Sequence, residues 1–185
     1  MRKVILDLAV SLDGFIEGPK GEIDWIPFTE ETGIELINFM NEIDAIIYGR
    51  VSYEMWGSYI PGAESSDFEK EFYEIVSKKT KYVCTTDIEK EFDGNPIIIA
   101  NELAATINKL RAEQGKDIWL FGGARLITSF ANLQLIDEIR LAIMPVILGA
   151  GKPLFQDIKE RINLNLLRTN SDKHGVTSLY YEVVK

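Results

Sequence analysis

IWLFGGARLITSFANLQLIDEIRLAIM, residues 118–144, is the stretch that decides the fold. It opens with the apolar run 118–121, passes two glycines, and continues with apolar residues at helical spacing from about 124 to 133. A second apolar run, 139–144, ends the stretch. Two short apolar runs separated by an amphipathic helix are typical of a βαβ unit, whose strands are parallel.

The same alternation of strand and helix patterns extends through most of the chain. Strands are predicted at 4–10, 45–48, 82–84 and 97–100. One helix is predicted from the cap Thr29 to about residue 43, and the first turns of another at 52–56. Further helices are predicted at 67–77 and at 102–114, where Gly115 closes the helix. Two alternating segments, 164–168 and 176–184, flank a turn at His174 and indicate an antiparallel pair. We therefore predict an α/β fold with a three-layer sandwich, a mainly parallel sheet, helices on both faces and an antiparallel C-terminal edge. One domain is expected over residues 1–185.

Composition excludes several classes of function. The 185 residues contain 20 Lys and Arg against 29 Asp and Glu, a net charge of −9, which argues against general nucleic-acid binding and against docking on anionic lipid. No stretch of sequence has the length and apolar character of a membrane span or a signal segment, so we expect a cytoplasmic protein.

The counts of cysteine and histidine restrict the chemistry further. Cys84 and His174 are the sole residues of their types. An intramolecular disulfide, a histidine-based zinc site and a Cys/His nucleophile pair are therefore excluded, and no metal is expected. Cys84 lies in a strand pattern and is predicted to be a buried structural thiol, whereas His174 is predicted to lie in an exposed turn.

Ligands of open α/β sheets bind outside the carboxyl ends of the strands, so the residues that follow each strand are the candidates for binding. Gly49-Arg50 and Gly122-Gly123 both stand between a strand and a helix, where free backbone N–H groups attract phosphate. Thr85 and Thr86 follow a third strand and offer hydroxyls. Each junction read alone could be an ordinary turn or helix cap. Together they predict a dinucleotide bound across the strand ends.

Four motifs carry a family resemblance over nearly the whole chain. They are S-L-D-G-F-I from Ser11, Gly49-Arg50 with Tyr53-Glu54, Gly122-Gly123, and L-I-D-E-I-R-L from Leu135, which runs into P-V-I-L-G-A-G-K-P-L-F from Pro145. In this order they resemble the dihydrofolate reductase superfamily. The specific resemblance is to the branch containing the reductase domain of the bifunctional riboflavin-biosynthesis deaminase/reductase.

This resemblance implies a reductase that binds NADPH. It assigns Gly49, Arg50 and Ser52 to the adenosine 2′-phosphate, and Thr85 and Thr86 to the adenine ribose and its phosphate. The pyrophosphate and nicotinamide side is assigned to the start of the next helix, that is, to Gly122, Gly123, Ala124, Arg125 and Leu126. The glycine-rich loop 13–25 resembles a mobile lid that closes over nicotinamide and substrate.

Three carboxylates are candidates for the catalytic group. Asp13 follows the first strand and either forms a turn with Gly14 or hydrogen-bonds a polar heterocycle or sugar hydroxyl. Glu30 and Glu31 stand where dihydrofolate reductases carry an acidic residue, although acidic residues in a first helical turn are also good helix-start chemistry. Ser11, Trp25 and Tyr53 are candidates for the substrate pocket, with packing as the alternative for the two aromatic residues.

The leading functional hypothesis is an NADPH-dependent reductase of a small heterocyclic substrate, similar to 5-amino-6-(5-phosphoribosylamino)uracil reductase of riboflavin biosynthesis. Two alternatives are a dihydrofolate reductase and a nucleotide-binding module without catalytic activity. The resemblance also implies a homodimer, for which the C-terminal strands are the expected contact.

Overall fold

The structure of the chain, a computed structural model, describes residues 1–27 and 30–185, and for residues 30–32 it describes the backbone alone. The predicted helix cap Thr29 lies outside the described residues. Contacts divide the described chain into two compact units. The first contains Met1–Arg2 and the described part of residues 28–123, and the second contains Lys3–Pro27 and Ala124–Lys185. One domain over residues 1–185 stays a prediction.

The secondary structure follows the predicted alternation. In chain order the elements are β1 (Val4–Ser11), β2 (Phe15–Glu17), α1 (Glu30–Glu42), β3 (Ile43–Gly49), α2 (Arg50–Ser52), a π-helical turn (Tyr53–Gly57), α3 (Asp67–Ser77), β4 (Thr80–Cys84), β5 (Ile97–Ile99), α4 (Leu103–Ala112), β6 (Asp117–Gly122), α5 (Ala124–Asn132), β7 (Glu138–Met144), β8 (Lys152–Pro153), β9 (Leu164–Ser171) and β10 (Thr177–Val183). Among the described helices, none combines the length and apolar character that crossing a membrane requires.

The first unit is built around β3. Its strands follow the order β5-β4-β3-β6, and each of these described pairings is parallel. Strand β3 has a bonded neighbour on both sides, and its side chains Ile46 and Ile47, which point to opposite faces of the sheet, are fully buried. A parallel strand buried in this way needs a nearly continuous apolar sequence, which residues 43–49 provide.

The second unit combines one parallel pairing with an antiparallel edge. Its strands follow the order β1-β7-β10-β9, with β1 parallel to β7 and both later pairings antiparallel. The turn between β9 and β10 is held by Asp172, whose Oδ1 accepts a hydrogen bond from the backbone N–H of His174 at 2.8 Å. The predicted α/β class, with a mostly parallel sheet and an antiparallel C-terminal edge, is therefore confirmed.

Two details of the sequence prediction were wrong. Residues 13–25 were predicted as a loop, but β2 lies within them and pairs antiparallel with β8. The helix predicted at 102–114 ends at Ala112, and Glu113 is its C-cap instead of Gly115. Gly115 is needed for another reason, since a Cβ there would lie 2.6 Å from the Asp44 carboxylate.

Asp44 anchors the chain start within the first unit. The guanidinium of Arg2, whose side chain is only 7% exposed, forms an ion pair with Oδ1 of Asp44. Oδ2 of the same carboxylate accepts the backbone N–H of Lys116 at 2.8 Å, and Arg2 Nε donates to the Lys116 carbonyl at 2.6 Å. The Asp44 carboxylate therefore neutralises the buried Arg2 guanidinium and fixes the position of Lys116, the residue before β6.

We predict that Asp44→Ala lowers the free energy of unfolding by about 2 kcal/mol, because it leaves the Arg2 guanidinium buried without its counter-ion. Urea denaturation followed by circular dichroism measures this loss. Glu71→Ala, which removes an exposed carboxylate from α3, is the control and should change stability by no more than about 0.5 kcal/mol. Equal stability of the two variants would contradict the anchoring role of Asp44.

Candidate functional site

The carboxyl ends of three neighbouring strands of the first unit lie in register. Gly49 at the end of β3 is aligned with Cys84 at the end of β4, and Tyr48 is aligned with Gly122 at the end of β6. Residues that follow these strands therefore leave the sheet at one edge. The structure thus brings Gly49, Thr85 and Gly122, predicted separately from sequence, to the same edge of the unit.

At this edge the glycine junctions approach each other backbone to backbone. A Cβ on Gly49 would lie 3.5 Å from both the Gly122 carbonyl oxygen and the Gly123 nitrogen. A Cβ on Gly123 would lie 3.2 Å from Oγ of Ser52, closer than ordinary contact. Gly122 has a φ of +106°, a backbone conformation that favours glycine. The backbones of the two junctions therefore lie in close contact at this edge, and a side chain at Gly123 would press against Ser52.

Helix α5 begins directly after this glycine pair. Its first residues are Ala124, Arg125 and Leu126, so the helix start carries a cationic side chain and no acidic one. Ala124 is buried and Arg125 is exposed. The first N–H groups of a helix lack intrahelical partners and face an anion favourably. The residue types at this helix start therefore suit a phosphate group.

Arg50 forms an ion pair that the sequence analysis did not identify. Its Nη1 donates to both carboxylate oxygens of Glu54, at 3.0 and 2.9 Å, and Lys90 pairs with the same carboxylate. Hydrogen bonds, first from Lys90 and then from Arg50, lower the pKa of Glu54. The four-residue spacing of Arg50 and Glu54 is a helical pairing signal, but nothing in the sequence pointed to Lys90.

The threonine pair has a defined local role. Oγ1 of Thr85 accepts the backbone N–H of Asp87 at 3.0 Å, and the Thr85 N–H donates to the Ile99 carbonyl at 3.1 Å. Thr85 therefore forms the turn that was one of its two predicted roles, while its hydroxyl proton can still be donated. Thr86 is exposed.

Tyr53 is a core residue in the first unit. It is almost fully buried, its hydroxyl donates to the Asp93 carbonyl at 2.6 Å, and its ring meets those of Tyr48 and Phe92 edge to face. Burial raises its pKa. These contacts favour the packing alternative for Tyr53 over the substrate pocket.

In the second unit, Ser11 and Asp13 form a hydrogen-bonded group after β1. Oγ of the buried Ser11 donates to Asp13 Oδ1 at 2.7 Å and accepts the Phe15 N–H at 2.9 Å. The two carboxylate oxygens of Asp13 also accept the backbone N–H groups of Leu148, at 3.1 Å, and Gly149, at 2.8 Å. Desolvation acts against ionisation, but hydrogen bonds from Ser11, Gly149 and Leu148 outweigh it and lower the pKa of Asp13.

The remaining predicted residues are placed as follows. Trp25 is half-buried, and its Nε1 donates to the Glu22 carbonyl at 3.1 Å. Glu30 and Glu31 form the start of α1, but their side chains lie outside the described part of the chain. Among the described side chains, which are those of residues 1–27 and 33–185, no group of three or more His, Cys, Asp and Glu could hold a metal ion.

Comparisons with known proteins find a matching family and similar sequences. The family model described as the RibD C-terminal domain matches residues 2–178. The chain is 50% identical to the uncharacterized protein YyaP of Bacillus subtilis (strain 168) over 180 residues, which cover 97% of this chain and 94% of that protein.

Solved structures show the same fold at low sequence identity. A putative riboflavin biosynthesis protein from Shewanella sp. PV-4 matches with a TM-score of 0.80 and 22% identity over 100% of both chains. Dihydrofolate reductase from Enterococcus faecalis matches with a TM-score of 0.67 and 13% identity, covering 99% of this chain and 97% of that one. The dihydrofolate reductase-like fold predicted from the sequence is confirmed.

Cys84 is expected to be inert in the folded protein. Burial raises the pKa of its thiol to about 12, so very little of the reactive thiolate exists at neutral pH. Iodoacetamide should therefore alkylate Cys84 at least ~100-fold more slowly than it alkylates the same protein unfolded in guanidinium, as measured by mass spectrometry. Equal rates in the two states would show that Cys84 is accessible and reactive.

Proposed function

We propose, from the fact that the chain belongs to the RibD C-terminal domain family, that it is an NADPH-dependent reductase of a small heterocyclic substrate. The substrate class that we favour is a ribosylamino-pyrimidine, as in 5-amino-6-(5-phosphoribosylamino)uracil reductase. Membership of this family supports a reductase in general terms. The cofactor and the substrate class are the specific parts of the proposal.

The observation that carries the cofactor proposal is the alignment of β3, β4 and β6 at their carboxyl ends. It brings Gly49 and Gly122 to one edge, where the two glycine junctions meet backbone to backbone. Dinucleotides bind at such strand ends because backbone N–H groups can approach their phosphates there. The residues at this edge therefore suit a dinucleotide that carries both a pyrophosphate and a 2′-phosphate.

Each part of the cofactor has proposed ligands. Arg50 and Ser52 would hold the 2′-phosphate, and Thr85 and Thr86 would bond the adenine ribose. The backbone from Gly122 to Leu126 would bind the pyrophosphate at the start of α5. A guanidinium is well suited to a phosphate monoester because its planar N–H groups can bond two oxygens at once.

NADPH, when bound, supplies the hydride for the reduction, so the protein has to orient the cofactor and keep water from the substrate. Glu30 and Glu31 remain the proposed sources of a proton, on the basis of their position in the sequence. Trp25, on the loop predicted as a lid, is a proposed wall of the substrate pocket. A cytoplasmic location stays a prediction.

A homodimer is the proposed assembly, and the second unit supports it. Every residue of the edge strand β9 is exposed. Its register aligns Leu164 with Val183 and Leu166 with Tyr181, which gives one face of the β9–β10 pair an apolar row. A sheet edge with exposed leucines is a surface that a second copy of the chain can cover by a two-fold contact.

The reductase proposal is tested first with the cofactor and then with substrates. Calorimetric titration should give micromolar binding of NADPH and weaker binding of NADH, because NADH lacks the 2′-phosphate. The loss of NADPH absorbance is then followed with ribosylamino-pyrimidines and dihydrofolate. Turnover of dihydrofolate alone would favour a dihydrofolate reductase, and binding without any turnover would favour the non-catalytic module.

Replacement of Arg50 tests the 2′-phosphate assignment. Arg50→Ala should weaken NADPH binding by about 10- to 100-fold and leave NADH binding nearly unchanged, since only NADPH presents a charged group to the guanidinium. Glu54→Gln is the matched control. It keeps Arg50 but removes the carboxylate that occupies its Nη1, so it should strengthen NADPH binding or leave it unaltered. Equal losses of NADPH and NADH in Arg50→Ala would remove the assignment.

Sedimentation velocity tests the homodimer. The wild-type chain should sediment as a dimer, and the double substitution Leu164→Lys and Leu166→Lys should give a folded monomer because it places charges in the apolar row. Ile60→Lys alters another highly exposed apolar residue, in the first unit, and should leave the dimer intact. A monomeric wild-type protein, or a dimer that tolerates both leucine changes, would contradict the proposed interface.

A further inference from the structure

Two motifs that lie far apart in the sequence are joined in the second unit. We call residues 11–17 and 146–154 together the clasp. The Leu12 N–H donates to the Val146 carbonyl at 2.8 Å, and the Leu154 N–H donates to the Gly14 carbonyl at 2.9 Å. Strands β2 and β8 pair within the clasp, and Lys152 forms an ion pair with Glu17. The S-L-D-G and P-V-I-L-G-A-G motifs thus form one structure.

The clasp leaves no room for a side chain at Gly151. A Cβ at this position would lie 2.2 Å from the Glu17 carbonyl oxygen, and the backbone φ of Gly151 is +153°. Gly149, with a φ of +73°, also has a backbone conformation that favours glycine. The tight fit against the first segment therefore explains Gly151, whereas the left-handed backbone conformation explains Gly149.

Asp13 bonds both halves of the clasp. Within its own segment, its carboxylate accepts a hydrogen bond from the Ser11 hydroxyl. Across the clasp, it accepts hydrogen bonds from the backbone N–H groups of Leu148 and Gly149. Hydrogen bonds to an ionised acceptor are stronger than those between neutral groups. Since these bonds lower the pKa of Asp13, its carboxyl group carries no proton at neutral pH. This state suits a group that holds backbone amides and does not suit a proton donor.

We propose that Asp13 is a positioning residue, which holds the 146–151 loop against the start of the 13–25 loop by accepting the Leu148 and Gly149 amides. The proposal rests on the proposed reductase function only in assigning this edge of the second unit to the substrate side. Under this proposal, Asp13 acts through the 146–151 loop and does not contact the substrate directly. A consequence is that residues 13–17 of the predicted lid are fixed, so that any lid movement begins beyond Glu17.

The first test does not depend on enzyme activity. In Asp13→Asn, the Leu148 and Gly149 amide protons should exchange with solvent at least ~10-fold faster, because a neutral amide holds them less strongly than an ionised carboxylate. The Leu133 amide, which bonds Ser129 beyond the clasp, should be unchanged. Asp157→Asn removes the same charge from the same unit and should leave all three amides as in the wild type. Unaltered exchange at Leu148 and Gly149 in Asp13→Asn would overturn the proposal.

A titration of the wild-type protein covers the case in which Asp13→Asn does not fold. On acidification, the amide resonances of Leu148 and Gly149 should shift together, with a midpoint below that of an ordinary aspartate. At that midpoint, half of the molecules would carry a proton on the carboxylate that accepts both N–H groups. Independent movement of the two resonances, or no movement, would contradict a shared bond to Asp13.

Steady-state kinetics separates positioning from catalysis. Asp13→Asn and Ser11→Ala should both raise KM for the pyrimidine substrate. The KM of the double variant should be no higher than that of Asp13→Asn. The pH profile of kcat should keep its shape in each variant. Asp13→Glu retains the charge and should recover part of the loss. Disappearance of one limb of the pH profile in Asp13→Asn would make Asp13 the proton-transferring group. Absence of turnover in the wild type would contradict the reductase function, while amide exchange would still decide the positioning role.

Discussion

Strand β3 is hydrogen-bonded on both edges by parallel neighbours, and the first unit depends on this constraint. Parallel pairing with β4 and β6 makes β3 a central strand, whose Ile46 and Ile47 are fully buried, and aligns the three carboxyl ends. Each chain segment then leaves the sheet at the same edge. Gly49 and Gly122 lie there backbone to backbone, and strand ends of this kind suit a phosphate-bearing ligand because free N–H groups can approach it.

A different constraint organises the second unit. Its parallel strands β1 and β7 also end together, since Ser11 is aligned with Met144. Here the two segments that follow the strands are tied to each other by Asp13, instead of being spaced by glycines alone. A carboxylate that accepts one hydroxyl and two backbone amides is held in its ionised form and fixes the segments around it.

Much of the fold could be predicted from the sequence because the longer elements carry periodic signals. Helix α3 lies at residues 67–77 as predicted, and the β9–β10 hairpin surrounds the His174 turn. The β2–β8 pair was missed because strands of three and two residues show no alternation, so that tertiary pairing alone creates them. The end of α4 was misplaced because Gly115 resembles a helix cap, whereas its role is to admit the Asp44 carboxylate.

The sequence by itself determined which residue types follow each strand, and with them the fold class and the family. Several features can be identified without coordinates: Arg50 after Gly49, two glycines before a helix, and a single cysteine and a single histidine. Tertiary structure alone decided which groups these residues contact. Lys90 and Arg50 both form ion pairs with Glu54, and the Tyr53 hydroxyl donates a hydrogen bond to the Asp93 carbonyl. Asp13 accepts hydrogen bonds from the Leu148 and Gly149 amides. The physical reason is that local propensity and periodicity act over a few residues, whereas these bonds depend on how distant segments meet when strands pair in register.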